Sequence, residues 1–209
     1  MSRRELGRLM RYPPDQKAKA RAAMVEAGAK ALRQKGFNGI GVDGLASAAG
    51  VTSGAFYSNF ANKEALLKDI IGTCLGEPFV SAEGTVLERR EKLKEWLVLY
   101  FSVGHRDSPE TGCVMPTLSA DVARANKDVR VTYTGRIKVL VTKIAEVLEG
   151  ETNGREQRAW NIIALMVGAV SIARAMTDQG CAEAALDCIL SSAMAQISDP
   201  KRQGETPQS

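Results

Sequence analysis

Between Thr52 and Lys63 the chain gathers hydroxyl groups, an amide and an ammonium at short spacing: Thr52, Ser53, Tyr57, Ser58, Asn59 and Lys63. This is not a bond-breaking set. No base stands beside a nucleophile, and the one histidine of the chain, His105, is remote in sequence. These side chains can instead hydrogen-bond to phosphate oxygens and base edges. They act together only if a rigid element holds them on one face, and the flanking residues predict that element. Val42, Leu45, Ala46 and Ala49 fall at i, i+3, i+4 and i+7, one face of a short helix. Gly50 stops it, because glycine takes a left-handed backbone at little steric cost. Thr52 caps the next helix, and Val51 and Phe56 are spaced as a hydrophobic staple. The result is a helix-turn-helix whose second member can enter the major groove of DNA.

Geometry then assigns roles. The N-terminal residues of the second helix, Thr52, Ser53, Gly54 and Ala55, face the groove. Tyr57 reaches a phosphate through its hydroxyl, and Ser58 and Asn59 reach backbone or base edges. Phe56 and Phe60 turn to the core. Such short side chains offer few bidentate base contacts, so sequence preference would draw on thymine methyl groups, water and DNA shape. Asn62 caps a further helix and makes Lys63 its first residue. A lysine there opposes the helix dipole unless an anion sits at that helix end, where the ammonium and free N–H groups could hold a phosphate.

The run Gly50-Val51-Thr52-Ser53-Gly54-Ala55-Phe56-Tyr57-Ser58-Asn59-Phe60-Ala61-Asn62-Lys63-Glu64-Ala65-Leu66-Leu67 closely resembles the signature of TetR/AcrR-type transcriptional repressors. The likeness extends over residues 15–72 and rests on Gly-Val-Thr, the Phe-Tyr pair, Phe60 and Lys63-Glu64-x-Leu-Leu. It implies a homodimer that binds a palindromic double-stranded DNA operator and is released by a small-molecule effector in its C-terminal domain. Two glycines depart from the pattern. Gly41 stands where a Ser or Thr cap is usual, and Gly44 lies within a short helix, so a softer head is expected.

The elements around this motif are helical throughout. Residues 1–14, with Arg3, Arg4, Arg8 and Arg11, read as a flexible basic arm. A first helix over 15–35 carries Met24, Ala27, Gly28, Ala31 and Leu32 on one stripe, and closes a three-helix core with Phe37, Leu45 and Phe60. Further helices are predicted over 62–75, 88–104, 113–126, 128–148, 155–179 and 182–197, with loops at 106–112 and 150–154, a break at Gly180 and a polar tail over 199–209. The fold class is therefore all-α: a helix-turn-helix DNA-binding domain over 15–62 and a helical effector-binding and dimerisation domain over 63–198. The apolar pair of helices within 155–197, with small residues such as Gly168, Ala169, Ala184 and Ala185, suits a four-helix dimer interface. Those residues could equally fill the core of one subunit.

Composition sets the bounds. The 209 residues are 44% hydrophobic and carry a net charge of +4. Residues 1–72 hold +6 of that charge and the remainder −2, which suits a basic head on a near-neutral body. The sequence lacks an unbroken apolar run of about 18 residues, and its first residues lack the apolar stretch of a secretory signal, so a cytoplasmic setting is expected. The four cysteines, Cys74, Cys113, Cys181 and Cys188, have no metal-ligand spacing. No cofactor and no catalysis are expected. One rival motif is present: Gly39-Ile40-Gly41-Val42-Asp43-Gly44 matches the dinucleotide fingerprint, with Glu64 beyond it, but that fingerprint needs a strand where a helical pattern stands. A second rival is an architectural protein that binds any duplex alike.

In the larger domain Trp96, Tyr100, Phe101, Cys113, Met115, Leu118, Trp160, Met166 and Val170 are the candidates to line an effector pocket, each with ordinary core packing as the plainer alternative. Cys113 follows Gly112 at a predicted helix start, where the dipole would lower its thiol pKa and fit it to sense oxidants or electrophiles. A small buried apolar residue is the alternative reading.

Overall fold

The computed structural model describes residues 14–198, so the N-terminal arm over 1–13 and the tail over 199–209 lie outside the described residues. Within that span the chain is all-α, with no strand among the described residues. Its helices are α1 (Pro14–Lys35), α2 (Val42–Ala48), α3 (Ser53–Asn59), α4 (Lys63–Cys74), α5 (Val86–Tyr100), α6 (Val103–Asp107), α7 (Met115–Arg124), α8 (Lys127–Val147), α9 (Arg155–Ala175) and α10 (Gln179–Ala195).

The head is built from α1, α2 and α3. Met24, Ala31, Leu32, Leu45, Ala46, Phe56 and Phe60 bury its apolar seam. Gly28 lets α1 approach α4 closely: a Cβ there would lie 2.9 Å from Leu66 Cδ2. Helix α4 in turn buries Leu66, Leu67, Ile70 and Ile71, packing on α1 at one side and α8 at the other. In the body α9 lies between α8 and α10, with Ile162, Met166 and Val170 buried. By length and a mean hydropathy of 1.2 the α9 segment could cross a membrane, a feature that counting unbroken apolar runs misses. Here its buried face is covered by other helices of the same chain.

Polar ties join head to body. The Phe37 amide, just past the end of α1, donates to Asp121 Oδ2 of α7 at 3.0 Å. The Glu64 carboxylate, in the first turn of α4, accepts from the amide and side chain of Asn126 at 2.9 and 2.7 Å. Asn126 is itself the cap of α8, accepting from Val129 N.

Several boundaries differ from expectation. Helix α5 starts at Val86, because Thr85 and Glu88 form a reciprocal capping box. The predicted loop over 106–112 begins only after α6, which Ser102 caps. Helix α7 starts at Met115, so Cys113 precedes the helix rather than opening it. The break expected at Gly180 falls earlier. Met176 is extended and ends α9, and Asp178 caps α10 by accepting from Cys181 N at 3.0 Å, which places Gly180 in the first turn of α10.

Candidate nucleic-acid interface and the body cavity

The turn between α2 and α3 follows from local chemistry. Gly50 has φ +67°, and behind it Val51 N donates to Ala46 O at 2.9 Å, the reach-back bond of a helix ending in a left-handed residue. Thr52 Oγ1 then accepts from Ala55 N at 3.1 Å and starts α3. Val51 is half-buried and packs against the core that Phe56 completes. Phe56 and Phe60 are 0% and 1% exposed, with ring centroids 5.6 Å apart, so α3 rests on an aromatic floor.

The outer face of α3 carries the predicted contact residues in two groups. Thr52, Gly54, Tyr57 and Ser58 are exposed, Tyr57 at 57%, its ring held edge-on against Phe56. Ser53, Ala55 and Asn59 are half-buried. The Ser53 hydroxyl donates to Asp43 Oδ1 at 2.5 Å and ties α3 to α2, while Asn59 Nδ2 donates to Ala55 O at 2.9 Å. Ser58 Oγ donates to Gly54 O at 2.9 Å.

Two cations behind the face stiffen it. Arg21 of α1 donates to the Asn59 carbonyl, pairs with Asp69 of α4 at 2.7 Å, and lies 4.1 Å from the Phe60 ring centroid. Nothing in the sequence pattern pointed to Arg21, since its partners come from two other helices. Lys63, expected beside a phosphate, has its ammonium turned inward in this structure. It donates to the carbonyls of Phe37 and Ile40 and lies 4.1 Å from the Phe37 ring centroid, clamping the α1–α2 connection. Asn62 Oδ1 caps α4 through Ala65 N at 2.8 Å, as predicted.

The glycine-rich run is part of this connection. Helix α1 precedes it, so the strand required by a dinucleotide site is missing there, and Glu64 is committed to Asn126. Gly39 is there for space: a Cβ would lie 2.0 Å from Lys35 O. At Gly44 a Cβ would meet Ile40 Cγ1 at 2.7 Å, so this glycine admits the Ile40 side chain against α2. Gly41 is the cap of α2 and makes no side-chain cap bond, although a Cβ there would meet nothing within 4 Å.

The pocket candidates separate. Trp96, Tyr100 and Cys113 line one cavity of about 490 Å³, together with Arg33, Leu99 and His105. Phe101, Met115, Leu118, Met166 and Val170 do not line it. They are core residues, at most 3% exposed, because their helix faces point into the packed interior. Trp160 is 44% exposed and borders a separate hollow with Tyr133, Ile137, Ile163 and Val167.

Electrostatics around Cys113 also correct an expectation. Burial pushes its thiol pKa up rather than down. The sulfur accepts from Met115 N at 3.4 Å, and Cys113 N donates to His105 Nε2 at 3.0 Å. With Nε2 accepting, the neutral ring carries its proton on Nδ1, 2.6 Å from the Tyr100 carbonyl. Burial above all, and then the charges of Arg174 and Arg33, hold the imidazole below its ordinary value of 6.5.

Comparison with known proteins agrees with this geometry. Residues 24–70 match the model of bacterial regulatory proteins, tetR family. No curated protein matches the sequence. The fold is similar to that of Escherichia coli NemR in its reduced form, with a TM-score of 0.67 and 22% identity over 87% of this chain and 98% of that one. A TetR-family transcriptional regulator from Agrobacterium tumefaciens aligns with a TM-score of 0.67 and 14% identity over 88% of this chain and 100% of the other. One from Cytophaga hutchinsonii gives 0.66 and 21%, over 89% and 96%.

Proposed function

We propose, on the premise that this chain is a TetR-family helix-turn-helix regulator of transcription, that it is a repressor. It binds a palindromic operator as a homodimer and leaves it when a small molecule occupies the body. The observation that carries this reading is the exposed face of α3, with Thr52, Tyr57 and Ser58 above a rigid floor of Phe56 and Phe60.

In this reading Thr52 and Tyr57 bond phosphates, while Ser58 and the small surfaces of Gly54 and Ala55 approach base edges. Ser53 and Asn59 act from the helix flanks. Lys63 stands at the start of α4 while bracing the loop behind it, so a phosphate there would feel both ammonium and helix dipole. Two copies join through α9 and α10, whose outward residues include Trp160, Ala164 and Ile172. A dimer places two recognition helices one DNA turn apart, about 34 Å. The setting is the cytoplasm, where the DNA is.

The test is fluorescence anisotropy of the full chain on DNA from upstream of its own gene, across a salt series with excess unrelated duplex. Tight binding that survives the competitor is expected. Equal affinity for both duplexes with a steep salt slope would make the protein a sequence-indifferent binder. No binding to that DNA or to a selected-site library would overturn the reading.

A further inference from the structure

The 490 Å³ cavity has an uneven charge lining. Its carboxylate, Glu77, is already paired with Arg136 at 2.9 Å and accepts from Ser81 at 2.5 Å. Its guanidinium, Arg33, comes from the last turn of α1 in the head. Arg33 Nη1 donates to the Glu110 carbonyl at 2.9 Å, and its Nε is buried with no hydrogen-bond partner. A second guanidinium, Arg174 of α9, does not line the cavity but holds the segment over 105–113 that does. Its Nε and Nη2 donate to the carbonyls of Arg106 and His105 at 2.9 and 2.8 Å, and its Nη1 is buried without a partner. The hydroxyl of Tyr100, a residue 3% exposed, lies against the Cys113 thiol.

The hydrogen bonds of both guanidiniums go to carbonyls, but Arg174 is also offset by the charges of Glu110 and Asp107, which leaves Arg33, on the cavity lining, as the charge that is costly in a low-dielectric site. The unpartnered Nε of Arg33 points to what would offset that cost, namely an anion with several acceptor lone pairs. One stretch of the remaining wall is apolar, while Thr73, Ser102, Ser108 and Thr111 bring hydroxyl side chains elsewhere. Trp96 is stacked on Phe79 at 5.5 Å and 9°, and Leu99 and Pro78 continue its surface. We propose that this cavity binds a small aromatic carboxylate, its ring on Trp96 and its carboxylate toward Arg33.

This deepens the effector reading above and rests on it for the regulatory consequence. A carboxylate competing for Arg33 draws its guanidinium off the Glu110 carbonyl. Arg33 sits one turn before the Phe37–Asp121 bond, so ligand occupancy acts on the joint between the head and α7. The ligand thereby favours a head position other than the DNA-bound one.

The experiment is isothermal titration calorimetry of the full chain, without DNA, using 4-hydroxybenzoate and 2-naphthoate against the corresponding amides. At least one acid is expected to bind about tenfold tighter than its amide, the difference that hydrogen bonds to charged groups give. Arg33→Gln should lower the affinity for that acid about tenfold and abolish the preference, while Arg33→Lys keeps part of it. The proposal is overturned if neither acid binds at millimolar concentration, if acid and amide bind alike, or if Arg33→Gln retains the wild-type preference. Should Arg33→Gln fail to fold, the acid-amide comparison and Arg33→Lys still decide. Because DNA is absent, failure here is separate from failure of operator binding.

Discussion

On the head, Thr52, Tyr57 and Ser58 stand in solvent above an apolar floor, whereas in the body Tyr100, His105 and Arg174 fold inward while Val98 and Ile172 face out. The contrast separates two kinds of recognition. Outward polar groups on a stiff helix suit a partner larger than the protein's own surface features. Inward polar groups, some with unmet donors, suit a partner small enough to be enclosed. The head is stiffened by aromatic packing and by Arg21 and Lys63; the body keeps its polar groups at the edge of a cavity, where a ligand can compete for them.

That contrast can be broken first at the aromatic floor. Phe56→Ala should cost about 4 kcal/mol in urea denaturation and abolish operator binding, since it empties a fully buried site under the recognition helix. A full-affinity variant would mean that α3 does not depend on its floor. Next, Gly39→Ala should cost about 3 kcal/mol, because its Cβ would collide with the Lys35 carbonyl. An unchanged midpoint would show that the α1–α2 connection relaxes freely. Thr52→Ala removes the cap of α3 and should cost about 1 kcal/mol. If Thr52 also bonds a phosphate, the loss in DNA affinity exceeds the loss in stability, a split that anisotropy and denaturation measure together.

Smaller effects sharpen the body and the head in turn. His105 has a folded pKa below its ordinary value, so its neutral form stabilises the fold fully above 6.5. As pH falls below 6.5 the unfolded chain takes up the proton more readily, and Tm should drop until the folded value is passed. His105→Gln should flatten that part of the profile; an unaltered profile would assign the slope to other groups. Smallest is Gly41→Ser, which supplies the missing cap of α2 in open space and should add a few tenths of a kcal/mol. A loss there would mean that the backbone at Gly41 needs glycine.

The same contrast governs what the sequence makes legible. The helix-turn-helix is written in consecutive residues: the stripe from Val42 to Ala49, Gly50 as the stop, and Thr52 and Asn62 as caps. Each acts within a turn of itself, so spacing suffices. The capping box at Thr85 and Glu88 was equally local and could have been found by its Thr-x-x-Glu spacing. The cavity is different. Arg33, Tyr100 and His105 come from α1, α5 and α6, and no periodicity connects them. Trp160 shows the converse error, since an aromatic residue on an apolar helix gives no sign of facing outward. Lys63 carried the residue type of a phosphate ligand, but the carbonyls of Phe37 and Ile40 that hold it are set by the folded loop.

The bonds from Phe37 to Asp121 and from Asn126 to Glu64 bear on how such a head could be transplanted. Cut away from its body, the chain end of α1 loses the acceptor for its Phe37 amide, and Glu64 is left without the residue that starts α8. A chimera that grafts this head onto another scaffold must therefore bring along, or rebuild, a carboxylate at the position of Asp121 and an amide side chain at that of Asn126. The seam of the cassette runs through α7 and the start of α8, well past α3 and the first turn of α4.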